Sequence, residues 1–186
     1  MRHFILTICT LVFFDAHAQD TYSIVAVDPE TGEVGSAGAS CVDLNQFFPN
    51  SPDDFIAVLH PGLGAINTQA AYNAANQNLA SGRALQGDSA GQIIDYLVAN
   101  DVETNKRIRQ YGIALLINGN PDIAAHTGLS CFDEKYHITG ETYSIQGNIL
   151  IDSTVLDSME AAFLRTEGSL SCKLMAALRG LSLIHI

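Results

Sequence analysis

The order of strand-like and helix-like segments most constrains the fold of this chain. After residue 20 the sequence shows a block of β-branched and apolar segments, two helical patterns, a second block of strands and two more helical patterns. Strands that come in blocks, with paired helices between and after them, are typical of α+β domains rather than of alternating βαβ folds. The 168 residues after position 18 suit one domain. The sequence therefore predicts a single α+β domain.

Periodicity and turn residues assign the individual segments. Strands at 21–27 and 33–41, joined by Asp28-Pro29-Glu30-Thr31-Gly32, are predicted to form a β-hairpin. A loop is expected at 43–54, followed by a short buried strand at 55–59. The periodicity also predicts strands at 63–68, 111–117 (central), 123–126 and 142–151, and helices at 69–82, 89–100, 153–164 and 169–178. Asp88 or Ser89 is expected to cap the second of these helices, and Asp152 or Ser153 the third.

The first eighteen residues have the pattern of a cleavable secretory signal peptide. Arg2 is the basic start, residues 4–14 are an uncharged apolar run, and Ala16-His17-Ala18 offers small residues to a signal peptidase. The run has eleven residues, whereas a membrane-spanning helix needs about 20. The sequence therefore predicts cleavage after Ala18, no membrane association afterwards, and a secreted or periplasmic domain over residues 19–180.

Composition limits the partners of this domain. The formal net charge is −11, so phosphate backbones would repel the protein and nucleic acid is not an expected partner. A hydrophobic fraction of 47% argues against disorder. No Cys or His spacing indicates zinc, and no cofactor is expected.

Three cysteines remain after signal cleavage, namely Cys41, Cys131 and Cys172. Disulfides persist outside the cytosol, and an odd number allows at most one bond within the chain. We expect a disulfide between Cys41 and Cys131, with Cys172 left over. Three unpaired buried cysteines are the alternative.

Five stretches of the chain, taken in order, are similar to the DUF1028 family, a family of domains of unknown function. They are TYSIVAVDPETGEVGSAGAS, GLGAINTQA, RQYGIAL, HTG with the nearby Cys131, and SIQGNIL. The resemblance extends over about residues 21–180. This family in turn resembles the N-terminal-nucleophile (Ntn) hydrolases, which implies a four-layer αββα sandwich with two antiparallel sheets between layers of helices.

The resemblance to Ntn hydrolases implies a catalytic role for Thr21. In those enzymes the nucleophile is the first residue of the first strand, and its own α-amino group, with a pKa of about 8, is the base. Thr21 occupies that position. Cleavage after Ala18 leaves Gln19 and Asp20 ahead of it, so catalysis requires a second cut between Asp20 and Thr21. The alternative is an ordinary strand threonine.

Polar side chains at strand ends are the other candidates. Side-chain amides that could donate to a developing oxyanion, or bind a ligand, occur at Asn67, Gln69, Gln146 and Asn148, beside Gly64 and Gly147. They could equally satisfy backbone groups. His137 is a candidate acid–base or binding residue.

The C-terminal residues 181–186 (LSLIHI) differ from what the resemblance implies. The family continues with a segment that contains Gly, Asp, Arg and Gln and with further strands, and the hexapeptide resembles a translated sequencing adapter. We therefore expect a non-native tail and a sandwich that is incomplete at this end.

Two functions follow from these observations. The resemblance implies an amidohydrolase that acts on a peptide or peptidoglycan-type amide. The blocked amine of Thr21 favours the alternative, a non-catalytic extracytoplasmic binding domain on the same scaffold. A third hypothesis makes Cys41 the reactive group, although no electropositive neighbour lies near it in sequence.

Overall fold

The computed structural model describes residues 21–40 and 56–180. They form a layered α+β sandwich, in which two four-stranded sheets lie face to face and helices cover the outer face of each sheet. The α+β class predicted from the order of segments is therefore confirmed. The predicted signal peptide, the loop at 43–54, Cys41 and the tail at 181–186 lie outside the described residues.

The elements follow one another in the predicted blocks. In chain order they are β1 (Thr21–Val27), β2 (Val34–Ser40), β3 (Ala57–His60), β4 (Gly64–Ala70), α1 (Ala74–Leu85), α2 (Ala90–Ala99), a 3₁₀ turn (Lys106–Ile108), β5 (Arg109–Ile117), β6 (Asn120–Thr127), β7 (Tyr136–Thr139), β8 (Tyr143–Asn148), α3 (Thr154–Arg165) and α4 (Leu170–Gly180).

The strand order places two pairs of strand ends opposite each other. The first sheet runs β2-β1-β8-β7 and the second β3-β4-β5-β6, and all neighbouring strands are antiparallel. Thr21 at the start of β1 pairs with Asn148 at the end of β8. In the second sheet, Ala70 at the end of β4 pairs with Arg109 at the start of β5. The central strands of both sheets thus end on the same side of the sandwich.

Alternate residues of β1 face two different cores, as a strand period of two requires. Ile24 and Ala26 pack against helices α3 and α4. Val25 and Val27 point the other way and pack between the sheets, against residues such as Ala114. This apolar inter-sheet core lies at the hairpin end of β1, whereas the interior near Thr21 is polar.

The predicted hairpin and the predicted cap of α2 are present. Asp28 N donates to Glu33 O at 2.8 Å, and Gly32 closes the turn with a φ of +73°. At α2, Ser89 Oγ accepts from Gln92 N at 3.2 Å and Gln92 Oε1 accepts from Ser89 N at 2.8 Å, which is a capping box.

The prediction that a helix spans 69–82 was wrong at both ends. Gln69 and Ala70 belong to β4, because their backbones pair with Gln110 and Arg109 in β5. Helix α1 begins only after Asn73, whose Oδ1 accepts from two backbone N–H groups of the first turn. Gly82 lies inside α1 and does not end it. Strand pairing overrode the helical propensity of the alanine-rich stretch.

Two short edge strands also differ from the predictions. Strand β3 is not buried, since it lies at the edge of its sheet and Leu59 is 47% exposed. Strand β7, at the edge of the other sheet, was not predicted because its four residues alternate between half-buried and exposed and the strand is too short to give a clear periodic signal. At α3, Asp152 rather than Ser153 caps the helix, with its Oδ1 accepting from Thr154 N at 2.8 Å.

Within residues 21–40 and 56–180, no helix is both long enough and apolar enough to cross a bilayer.

Candidate functional site

A cavity of about 300 Å³ lies where the central strands of the two sheets end. We call it the strand-end cavity. Thr21 of β1 and Asn148 of β8 come from the first sheet, and Ala70 of β4 comes from the second. The described lining residues are Thr21, Ala70, Ala71, Ile108, Ser130, Cys131, Phe132, Asn148 and Ile149.

Thr21 occupies the first position of β1 in the wall of this cavity. The residue is 9% exposed, and its Oγ1 shares a hydrogen bond of 2.9 Å with Oγ of Ser40, its cross-strand partner in β2. On its other side it pairs with Asn148. The hydroxyl is therefore bonded to Ser40, and Asn148 is the cross-strand neighbour of Thr21, at the edge of a cavity large enough for a small ligand.

Left-handed backbone conformations shape the cavity at two strand ends. Ala70 has a φ of +63° and Ile149 a φ of +60°. This region costs a residue with a side chain roughly 1–2 kcal/mol, and it is rarest for β-branched residues. Local hydrogen bonds hold both turns: Ala71 N donates to Ile108 O at 3.1 Å, and Ile149 N donates to Phe132 O at 3.3 Å. Such strain concentrates at functional sites.

Buried side-chain amides lie directly behind the cavity, in the space between the sheets. Asn148 Nδ2 donates to Gln110 Oε1 at 2.9 Å, and Gln69 Nε2 donates to the same oxygen at 2.7 Å. Ser23 Oγ donates to Gln69 Oε1 at 2.6 Å and accepts from Gln146 Nε2 at 2.6 Å. We call these residues, Ser23, Gln69, Gln110, Gln146 and Asn148, the amide network.

Backbone carbonyls determine which way each amide of the network points. Gln110 Nε2 lies 2.8 Å from Gly147 O and 3.1 Å from Tyr136 O, and a carbonyl can only accept. The nitrogen of Gln110 must therefore face these carbonyls, which leaves Oε1 to accept from Asn148. One N–H of Asn148 is thereby used inside the protein, and the other can serve the cavity.

The absence of a side chain at Gly112 makes room for the network. A Cβ at this position of β5 would lie 1.9 Å from Gln146 Oε1 and 2.5 Å from its Cδ. Gln146 cannot easily move away, because its Nε2 donates to Ser23 O at 3.2 Å and its Oε1 accepts from Ser144 Oγ at 3.0 Å. Gly112 is thus required by close packing and not by its backbone conformation.

The remaining polar candidates lie farther from the cavity. Asn67 Oδ1 accepts from Ser36 Oγ at 2.8 Å, while its buried Nδ2 has no hydrogen-bond partner among the described residues. His137 Nδ1 lies 2.9 Å from Thr127 Oγ1, and Thr127 accepts from Gln110 Nε2. Burial lowers the pKa of His137, and the nearby His126 lowers it further. Neither Asn67 nor His137 is among the described lining residues.

An ion pair anchors the segment that precedes β5. Arg109 is buried, and its guanidinium donates to both oxygens of Asp101 at 2.8 and 3.3 Å and to Ala71 O at 2.6 Å. Burial alone would raise the pKa of Asp101. Hydrogen bonds from Arg109, Asn105 N and Asn76 outweigh burial and hold this pKa well below its usual range. Because Ala71 lines the cavity, the pair also supports its wall.

A profile of one protein family matches residues 21–181, and its description is "Family of unknown function (DUF1028)". The chain belongs to the DUF1028 family. The crystal structure of protein SPO2555 from Silicibacter pomeroyi, also a DUF1028 protein, is similar to this fold with a TM-score of 0.72 and 25% identity, covering 88% of this chain and 70% of that one. No curated protein matches the chain.

Two residues of this DUF1028 site were not predicted from the sequence to belong to it. Gln110 connects Gln69 to Asn148, and an amide just before an apolar strand was a signal like the one that singled out Gln69. Cys131 was considered only for a disulfide, yet it lines the strand-end cavity. Thr21 and Asn148 line the cavity as well, and Gln69 and Gln146 lie behind it.

Cys131 of this DUF1028 chain is buried and forms no disulfide with another described cysteine. Its Sγ donates to Arg109 O at 3.3 Å, and burial raises the pKa of the thiol. Because Cys41 lies outside the described residues, the disulfide between the two stays a prediction. Among the described residues, no three His, Cys, Asp or Glu side chains come together in a way that could hold a metal ion.

Proposed function

We propose that this DUF1028 protein is an extracytoplasmic amide hydrolase of the Ntn type, with Thr21 as its nucleophile and a peptide or peptidoglycan-type amide as its substrate. One observation carries the proposal: the Thr21 hydroxyl, at the first position of β1, lines a cavity of about 300 Å³ beside the amide of Asn148. A nucleophile, a hydrogen-bond donor and space for a substrate therefore meet at one place.

The reaction would proceed in two steps. The α-amine of Thr21, once it is freed by a cut after Asp20, accepts the hydroxyl proton as Oγ1 attacks the carbonyl carbon of the amide. The second N–H of Asn148 can stabilise the oxyanion that forms. The C–N bond then breaks, the amine leaves with the proton, and water hydrolyses the ester on Thr21 to restore the hydroxyl and release the acid.

Export is part of this proposal, because the pattern of residues 1–18 predicts a signal peptide. Signal cleavage after Ala18 would leave Gln19 and Asp20 on the chain, so a further processing step activates the enzyme. The site of signal cleavage thereby affects whether Thr21 has a free α-amine, as well as where the protein is located.

A non-catalytic binding domain is the second candidate, and one specific observation favours it. Gln69, Gln110 and Gln146 donate their amide hydrogens to other protein groups, so Asn148 is the only one of the four amides with an N–H left for the cavity. A single side-chain hydrogen-bond donor gives an active site little means to stabilise an oxyanion. A cavity of this kind could still hold a ligand without cleaving it.

Two forms of the chain separate these candidates, one beginning at Gln19 and the other at Thr21. Both are incubated with a panel of peptide and peptidoglycan-fragment amides, and amine release is measured. We expect turnover only from the form that begins at Thr21, loss of turnover in Thr21→Ala, and its partial recovery in Thr21→Ser, which keeps a hydroxyl. Binding without turnover in both forms would favour the binding domain.

Mass spectrometry of the secreted protein gives an independent check of the processing. The hydrolase requires a population that begins at Thr21. A secreted protein that begins only at Gln19 would contradict the catalytic proposal, whereas a chain that keeps residues 1–18 would contradict the export on which it depends.

A further inference from the structure

The described lining of the strand-end cavity has no charged side chain, although the protein is strongly acidic. The chain carries a net charge of −11, yet none of the nine described lining residues is ionised at neutral pH. Thr21, Ser130 and Asn148 are polar, whereas Ala70, Ala71, Ile108, Phe132 and Ile149 are apolar. Because an ion is costly to bury without a partner, the group that enters this cavity should be neutral and largely apolar.

A cation lies at the edge of the cavity. Arg107 is exposed, and its Nε donates to Oγ of the lining residue Ser130 at 3.2 Å. Arg109, two residues later, is buried and paired with Asp101 and Glu103. In residues 21–40 and 56–180 no carboxylate forms an ion pair with Arg107. Its charge is thus available to an anionic group of a ligand.

Exposed apolar side chains flank the same edge. Leu129 is 76% and Phe132 is 75% exposed, and they lie on either side of Ser130 and Cys131 in the loop that follows β6. Large apolar side chains exposed together beside a cavity are typical of ligand-binding surfaces. A bound acyl chain would remove part of their surface from water, which is favourable by about 25 cal/mol for each Å².

We propose that the strand-end cavity binds N-acyl amino acids, with the acyl chain in the apolar cavity and the carboxylate of the amino acid at Arg107. This inference rests on the proposed function, because it names the substrate class of the same site. The scissile amide lies between these two ends and so comes next to Thr21 and Asn148. Hydrolysis would consume one water and release a fatty acid and a free amino acid, with no other co-reactant.

Two matched probes test the charge requirement. N-hexanoylglycine carries the carboxylate, and N-hexanoylglycinamide has the same acyl chain without it. Their affinities for the secreted protein are measured by isothermal titration calorimetry. We expect the carboxylate to bind about fivefold more tightly, as an exposed arginine–carboxylate pair allows. Arg107→Gln should abolish the difference, and Arg165→Gln, an exposed arginine on α3, should preserve it.

The inference and the proposed function fail in different ways. Equal affinity for the two probes, a preference that survives in Arg107→Gln, or no binding of either probe would overturn the inference. Failure of the proposed function would instead appear as N-hexanoylglycine that binds with the expected preference but is not hydrolysed by the chain that begins at Thr21. Turnover of uncharged amides with no preference for a carboxylate would retain the function and overturn the substrate class.

Discussion

Gln110 in β5 accepts the side-chain N–H of Asn148 in β8 at 2.9 Å, across the space between the two sheets. Through this bond the interior of the sandwich orients a residue of the strand-end cavity. The same oxygen accepts from Gln69, so one carboxamide connects β4, β5 and β8. The position of Asn148 is therefore set by all of these strands together.

Replacement of Gln110 should destabilise the fold. Gln110→Ala would leave N–H groups of Gln69 and Asn148 and the carbonyls of Tyr136 and Gly147 without this partner. A buried group left unsatisfied costs about 1–3 kcal/mol, so we expect a loss of at least about 3 kcal/mol in the free energy of unfolding. Urea denaturation measures it. The exposed Gln86→Ala should change the stability little, and equal effects of the two substitutions would contradict the role of the network.

Gly112→Ala should be destabilising by at least about 2 kcal/mol, because the new Cβ would collide with the fixed side chain of Gln146. Gly91→Ala, in α2 with open space around the added Cβ, should be neutral or stabilising by up to about 1 kcal/mol. Thermal and urea unfolding compare the two. The double variant Gly112→Ala/Gln146→Ala should lose less than the two single losses added together, and strict additivity would argue against a direct collision.

The ion pair between Asp101 and Arg109 should matter for acid stability. The folded protein lowers the pKa of Asp101, so the pair stabilises the fold above the unfolded pKa of about 3.9 and loses this effect as the pH falls below it. Asp101→Asn should cost about 3 kcal/mol at pH 7, because it leaves Arg109 buried with reduced compensation. Urea unfolding at pH 7 and at pH 3 measures both effects.

Glu103→Gln is the matched control for that ion pair. Glu103 also contacts Arg109, but its side chain is 59% exposed, so its removal should cost less than about 1 kcal/mol.

The pH dependence of Asp101→Asn gives a second check. In this variant the difference in the free energy of unfolding between pH 7 and pH 3 should be smaller than in the unsubstituted protein. An unchanged difference would show that Asp101 does not contribute to acid sensitivity.

The predicted disulfide can be tested by peptide mapping without reduction, on protein produced with residues 1–18 and recovered after any processing. We expect a peptide pair linked through Cys41 and Cys131, with Cys172, which is exposed, alkylated by iodoacetamide in the native state. Denaturation without reductant should leave Cys131 unlabelled. Labelling of Cys131 under those conditions would contradict the bond and favour three free thiols.

The local pattern was sufficient to predict most elements of the fold. Turn residues and apolar spacing predicted the hairpin of β1 and β2, the central strand β5 and the cap and periodicity of α2, since these features depend on neighbours in the sequence. The end of β4 could not be predicted in this way. Gln69 and Ala70 look helical by composition, and pairing with Gln110 and Arg109 of β5 holds them in the sheet instead.

For the candidate site, too, the sequence indicated some features and only the tertiary structure showed the others. The position of Thr21 at the start of the first strand was readable from the sequence, and so were the amides of Gln69, Gln146 and Asn148. The sequence did not show that Gln110 connects these amides, or that Gly112 leaves room for the network. It also did not show that Cys131 and Arg107 lie around one cavity. These contacts join residues that lie far apart along the chain, and only the packing of two sheets brings them within hydrogen-bond distance.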